Sequence, residues 1–175
     1  MDFRVSIGSN LPREALRKLL YNMICNVLVM ELSFYEAEVW DWSDTRNVSI
    51  GCTYFSISIN LDDEEEYLER FREMNLESYG VDTNILINIQ FITRLFDIGY
   101  LKFLELFGKL LRLNDLDMLV ENHSSYPLMK RIKGCLKINT HSNEYQTSYL
   151  DKEDLALLNY PYLEEDFFKD SGYRR

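Results

Sequence analysis

Two histidines are the first groups to consider for acid–base or metal chemistry. His123 and His141 both fall in predicted loops and are well separated along the chain. A zinc site needs three or four converging ligands, and the nearest cysteine, Cys135, belongs to a strand pattern with Leu136 and Ile138. The sequence therefore predicts no metal site and no cofactor.

Nucleophilic catalysis has no support in the sequence either. A serine or cysteine nucleophile needs a histidine that accepts its proton and an acid that orients this histidine. Ser124 and Ser125 directly follow His123, and adjacent residues do not direct their reactive atoms at each other. The glycine motifs of serine hydrolases and of nucleotide-binding proteins are absent. We therefore predict no catalytic residues.

A run of acids opens the helix that is predicted after residue 61. A two-metal nuclease gathers carboxylates from separate elements, whereas a contiguous run spreads them around a helix start, where they complement the helix dipole. A solvated face is the simplest interpretation, and a binding surface for cations or a basic protein is the alternative. The residues of this predicted surface are Asp62, Asp63, Glu64, Glu65, Glu66, Glu69 and Glu73.

Two other places combine aromatic rings with acids, one in a predicted strand at 34–42 and one near the C-terminal end. Large rings supply contact area and acids supply steering, a combination that is typical of interface hot spots. For the strand, burial of the same face under helices is an equal alternative. For the C-terminal triplet, we expect acids that can be exposed to a partner. The predicted partner-binding residues here are Glu36, Glu38, Trp40, Trp42, Glu164, Glu165 and Asp166.

The charge balance narrows the class of partner. The 175-residue chain contains 29 acids against 19 bases, a formal net charge of −10. This field repels nucleic acid and anionic membrane but attracts a basic protein, although solubility alone also accounts for it. We expect a protein partner, and no nucleic acid, membrane or small-molecule substrate.

The cysteines and the apolar segments favour a cytoplasmic location. Three scattered cysteines without a CxxC pair predict no disulfide framework and fit a reducing compartment. The first residues lead into an alternating strand rather than a signal peptide. The most apolar stretch, 85–111, is interrupted by charged residues and does not predict a membrane-spanning helix.

Hydrophobic periodicity predicts the fold class. Apolar residues alternate within 3–7, 34–42, 82–92, 116–121 and 134–139, and recur at helical spacing within 11–25, 62–77 and 97–112. The alternation in 48–61 slips by one residue near Thr53 and Tyr54, which predicts a bulge or a break. This irregular order favours α+β: a mainly antiparallel sheet of about 5–7 strands with 3–4 helices, packed largely on one face.

The chain is predicted to form a single domain, 1–175, because glycine and proline are scarce and no linker is visible. A sheet–helix core would cover 1–139, and short helices and a tail would cover 140–175. In the tail we expect an edge strand at 144–149, a short helix capped by Asp151, and a last helical turn within 162–169. The segment 122–133 is predicted to be a loop or irregular turn.

The unit from Val81 to Asn139 carries a resemblance to a known family. It combines an alternating strand at 84–89, a helix ending Lys109-Leu110-Leu111, and a strand at 115–121. A loop with Leu128, Lys130 and Arg131 follows, and then a strand at 134–139. This order resembles the small immunity proteins of bacterial polymorphic toxin systems, in particular the Sit-type and contact-dependent inhibition immunity proteins. The resemblance covers about a third of the chain.

The resemblance implies a cytoplasmic, non-enzymatic protein that binds the C-terminal domain of one cognate toxin and occludes its active site. Toxin domains of this kind are often nucleases and therefore basic, which agrees with the acidic charge of this chain. Such families share no contact residues, so none is carried over. Two alternatives stay open: an enzyme of unrecognised type that uses clustered carboxylates, and an accessory or structural subunit of a mobile element.

Overall fold

The computed structural model describes residues 2–29, 40–43, 47–60, 65–141 and 150–169. Within these residues the strands are β1 (Asp2–Ile7), β2 (Trp40–Ser43), β3 (Asn47–Gly51), β4 (Phe55–Asn60), β5 (Ile85–Phe91), β6 (Met118–Asn122), β7 (Pro127–Ile132), β8 (Cys135–Asn139) and β9 (Tyr162–Glu165). The helices are α1 (Arg13–Val29), α2 (Glu65–Tyr79), α3 (Phe96–Leu111) and α4 (Lys152–Leu155). Short 3-10 turns, Thr93–Leu95 and Ala156–Leu158, precede α3 and follow α4.

All nine described strands form one sheet, in the order β2-β3-β4-β5-β1-β6-β7-β8-β9. Every pairing is antiparallel except that of β8 with β9, which is parallel. The α+β class and the mainly antiparallel sheet are therefore confirmed, whereas the predicted number of 5–7 strands was too low. β1, the first strand in chain order, lies in the middle of the sheet between β5 and β6.

One face of the sheet carries the main hydrophobic core. Residues alternate in β1 so that Phe3, Val5 and Ile7 are buried on this face. Helices α1 and α3 pack together above it, and the turn after α4 packs on α3. The Phe3 ring is stacked on Tyr100 and Phe103 of α3, each at 5.7 Å between ring centroids. Burial of these apolar side chains holds the helices on the sheet.

The second face is polar over part of its area and buried over the rest. Ser6, Leu86 and Leu119 are buried outside the main cluster. The C-terminal end of α2 lies near this face, where a Cβ atom built on Gly80 would be 3.9 Å from the Ile132 side chain. Burial, and then the Glu121 carboxylate, raise the pKa of Tyr79 at the same helix end. The helices thus lie largely, but not all, on one face, which qualifies the sequence prediction.

Two segments differ from their predicted structure. Residues 127–132, predicted to be a loop, form β7, and residues 162–165, predicted to be helical, form β9. The predicted break near Thr53 is confirmed, because β3 ends at Gly51 and the Cys52 N–H donates to the Phe55 carbonyl oxygen at 2.9 Å. The predicted strand at 144–149 lies outside the described residues.

No helix among the described residues is both long enough and apolar enough to cross a membrane.

Candidate binding surfaces

Helix α2 carries an acidic stripe, which we define as Glu69, Glu73 and Glu77 with Leu76. The three acids repeat at four-residue spacing and therefore lie along one line of the helix. All four side chains are exposed, and Leu76 keeps 51 % of its surface open to solvent. Met74, also exposed, lies beside the stripe. The helix thus combines carboxylates with apolar surface on its outer side.

Several contacts fix the C-terminal end of α2, which carries the acidic stripe. Asn75, fully buried on the inner side of α2, donates from its amide to the Thr83 hydroxyl at 3.0 Å. The Arg72 guanidinium binds the Asp82 carboxylate through two nitrogens, and this hydrogen bonding holds the pKa of Asp82 below its usual range. Gly80 ends the helix with φ +69°, a conformation that suits glycine. These contacts fix the C-terminal part of α2.

The structure therefore accounts for part of the predicted acidic surface. Glu69 and Glu73 are exposed on α2. Glu65 and Glu66 belong to the first turn of this helix, but their side chains are not described. Asp62, Asp63 and Glu64 lie outside the described residues. The sequence prediction did not include the apolar residues Met74 and Leu76, although helical spacing from Glu73 and Glu77 would have placed them beside the acids.

The strand β2 places the two tryptophans at defined register positions. Trp40 lies opposite Gly51 and Trp42 opposite Ser49. The row of Trp42 continues across the sheet through Ser58, Asn88, Arg4 and Glu121, and that of Trp40 through Ser56, Gln90 and Asp2. These are rows of mostly polar residues. The other two predicted residues of this surface, Glu36 and Glu38, lie outside the described part of the chain.

The C-terminal acids contact bases of their own chain. Glu165 lies 3.0 Å from the Lys130 ammonium and 2.5 Å from that of Lys137, and these hydrogen bonds, that of Lys137 first, lower the pKa of Glu165. Glu164 pairs with Lys152 at 3.1 Å.

Asp166 completes the triplet. Its carboxylate lies 3.4 Å from His141 Nδ1 and accepts the Phe168 N–H at 2.9 Å. Glu165 thus links β9 to β7 and β8, Glu164 links it to α4, and Asp166 links the residues after it to His141. Their predicted role in partner binding stays a prediction.

A partly buried ion pair crosses the second face. The Arg4 Nη1 atom lies 3.8 Å from Glu121 Oε2, and only 4 % of the Glu121 side chain is exposed. Burial raises the pKa of Glu121, and the Arg4 guanidinium only partly offsets this. Sequence reasoning missed this pair, because Glu121 ends an apolar strand and Arg4 alternates with core residues. Only the register of β1 and β6 brings the two together.

Metal-binding geometry is not found in the described residues, where no three of the His, Cys, Asp and Glu side chains converge on one point. His123 is exposed in the turn after β6, and His141 follows β8. The three cysteines, Cys25, Cys52 and Cys135, are free thiols.

Comparison of the chain with protein-family models, with curated proteins and with solved structures finds no match.

Proposed function

We propose that this chain is an immunity protein that binds the C-terminal domain of a cognate bacterial toxin, a basic nuclease, and occludes its active site. The observation that carries the proposal is the acidic stripe of α2, in which three exposed carboxylates flank exposed apolar side chains. Carboxylates would steer a basic partner, and Leu76 and Met74 would supply apolar contact area. The resemblance of the 81–139 unit to immunity proteins supports the same function.

The overall charge supports this choice of partner. A net charge of −10 speeds encounter with a basic domain by roughly 10- to 1000-fold at low salt. A nuclease site binds phosphates with basic groups, so carboxylates spaced along a helix can occupy the same groups. The pre-organised end of α2 lowers the conformational cost of this contact.

The test is a titration of the protein with the toxin domain encoded by the neighbouring gene, followed by calorimetry and by the nuclease activity of that domain. We expect tight one-to-one binding and loss of nuclease activity. Glu73→Lys should raise the Kd by about 10-fold or more, because it places a like charge against the partner. Glu153→Lys makes the same change of net charge on exposed α4 and is the matched control.

The apolar part of the stripe has its own variant. Leu76→Ser should weaken the complex by about 10-fold, since it removes apolar area at the centre of the contact. Leu163→Ser, at an exposed leucine of β9, is the control. The absence of a complex, or equal losses in Glu73→Lys and Glu153→Lys, would refute the proposal.

A further inference from the structure

The polar part of the second sheet face contains a groove of about 360 Å³. Its floor is formed by neighbouring strands β4, β5 and β1, and its end by the residues where β6 meets the following turn. Neutral groups that both donate and accept hydrogen bonds line it: the hydroxyls of Ser56 and Ser58 and the amides of Asn88 and Gln90. The two amides are exposed, so the groove is open to a ligand.

Buried polar atoms with unmet hydrogen-bonding capacity lie at the same place. Arg4 and Asn122 both line the groove, and Glu121 pairs with Arg4 across the strands. Within the described structure, Arg4 Nε, Asn122 Nδ2 and Glu121 Oε2 have no hydrogen-bond partner. Such atoms cost free energy when buried, and natural proteins keep few of them. These three atoms are buried beside the groove, so a ligand would be recognised by the hydroxyls and amides that line it.

The charges of the groove exclude some ligand classes. The Arg4 guanidinium is offset by Glu121, and Asp2 adds a carboxylate at the rim. The protein as a whole is acidic, which disfavours phosphates and other anions. Apart from the His123 imidazole and the apolar Phe3 and Ile89, the remaining groups are hydroxyls and amides, which are uncharged and both donate and accept hydrogen bonds. An uncharged ligand with several hydroxyls, each able to donate and to accept, matches this set.

We propose that the groove binds a small uncharged polyhydroxylated ligand, a sugar of one or two rings. Its volume lies at the low end of the range for small-molecule sites, which suits such a ligand. The register row of Trp40 continues to Ser56, and the row of Trp42 continues to Ser58. The ligand would therefore bind two strands away from both tryptophans. The site shares no residue with the acidic stripe. The proposal goes beyond the proposed function, and it departs from the sequence-based expectation that the protein has no small-molecule ligand.

The experiment follows the backbone amide signals of the 15N-labelled full chain during titration with glucose, N-acetylglucosamine and maltose, with inorganic phosphate and free arginine as charged comparisons. We expect at least one of the sugars to cause saturable shifts at residues 56, 58, 88 and 90. A Kd in the millimolar to micromolar range, roughly, is appropriate for a ligand of this size. Fluorescence of the two tryptophans gives an independent readout.

Two variants decide between the groove and unspecific binding. The double variant Asn88→Ala/Gln90→Ala alters only exposed amides and should weaken sugar binding by about 10-fold. Asn26→Ala, an exposed amide of α1, is the matched control and should leave the affinity unchanged. The proposal is overturned if none of the three sugars causes saturable shifts at these residues. Equal affinities of the double variant and the control, or shifts with phosphate or arginine alone, overturn it as well.

Discussion

Arg131 is the largest fully buried side chain in the described part of the chain, although its sequence context predicted a loop. Its guanidinium donates to the Leu111 carbonyl oxygen at 2.6 Å, to the Leu116 carbonyl oxygen at 2.7 Å and to Asn114 Oδ1 at 3.0 Å. It therefore satisfies the end of α3 and the connection to β6 together. Burial lowers the pKa of Arg131, but an arginine remains charged at neutral pH.

Replacing Arg131 by methionine should lower the free energy of unfolding by about 3 kcal/mol, because one buried and two partly buried acceptors lose their donor. Urea unfolding measures this change. Arg94→Ala, at an exposed arginine of the 3-10 turn before α3, should change the stability by less than about 0.5 kcal/mol. A methionine variant as stable as the parent would contradict a capping role.

Glu121 gives the protein a pH dependence of definite sign. Because burial raises its pKa in the folded state, the unfolded chain loses this proton at lower pH than the folded chain does. Stability is complete below the ordinary carboxyl range and is lost as pH rises through the raised value. Glu121→Gln cannot ionise, so its Tm relative to the parent should increase between about pH 4 and pH 7.

Thermal unfolding at these two pH values checks the expectation. Glu73→Gln removes one negative charge from the exposed side of α2 and is the control. A relative Tm of Glu121→Gln that falls as pH rises would mean that the Arg4 pair outweighs the cost of burial.

At the scale of elements, α3 and the turn after α4 meet at Gly108. A Cβ atom built on Gly108 would lie 2.2 Å from the Leu158 carbonyl oxygen, which is backbone and cannot move alone. The Arg112 guanidinium donates to the same Leu158 oxygen at 2.9 Å and to that of Asn159 at 2.7 Å. The helix thus fixes the C-terminal segment through backbone contact.

Gly108→Ala should destabilise the protein by about 1–3 kcal/mol through overpacking, although alanine favours a helix by about 1 kcal/mol over glycine. Chemical denaturation measures the sum, and Lys109→Ala in the same helix is the control. Hydrogen exchange should localise the loss to the 150–169 segment. A stabilised Gly108→Ala variant would show that the 150–169 segment moves away from the added methyl group without loss of stability.

Hydrophobic periodicity predicted the helices and strands that bury a regular apolar face. It failed for strands that contain charged residues paired within the fold. β1, β5 and α3 follow their alternation or helical spacing, and Asp151 caps α4 as expected, with its carboxylate accepting the Glu153 N–H at 2.7 Å. β7 was missed because Lys130 and Arg131 look like loop residues, yet both are paired inside the fold. β9 was missed because the parallel pairing with β8 and the Glu165 contacts join it to residues that are distant in sequence.

At the scale of the whole molecule, the sequence predicted the charge of the candidate binding surfaces but not the contacts that their residues make. Composition indicated an acidic protein, and the helical pattern placed Glu69 and Glu73 on one exposed line. Sequence could not reveal the groove, since its polar side chains come from β1, β4, β5 and the end of β6, and only the strand register brings them together. The tail acids could not be distinguished from free ones, because their bases are distant in sequence.

The net charge of −10 implies self-repulsion in the folded state. Raising KCl from about 0.02 to 0.5 M shortens the Debye length several-fold, and the Tm should rise by about 2–4 °C, which corresponds to roughly 1 kcal/mol. The variant with glutamine at the three acids of the stripe, Glu69, Glu73 and Glu77, should respond less. A Tm that falls with salt would mean that ion pairs such as Lys137–Glu165 dominate instead.

The central place of β1 has a consequence for the order of folding. Val5 pairs with Ile87 on one side and with Val120 on the other, so neither neighbour of this strand is local in sequence. The hairpins β3–β4 and β7–β8 can close early, but they lie on opposite sides of β1. During synthesis, β1 cannot pair until β5 and β6 have left the ribosome. Its apolar face stays exposed until then, and this exposure favours aggregation. We therefore expect slow folding limited by these two long-range closures.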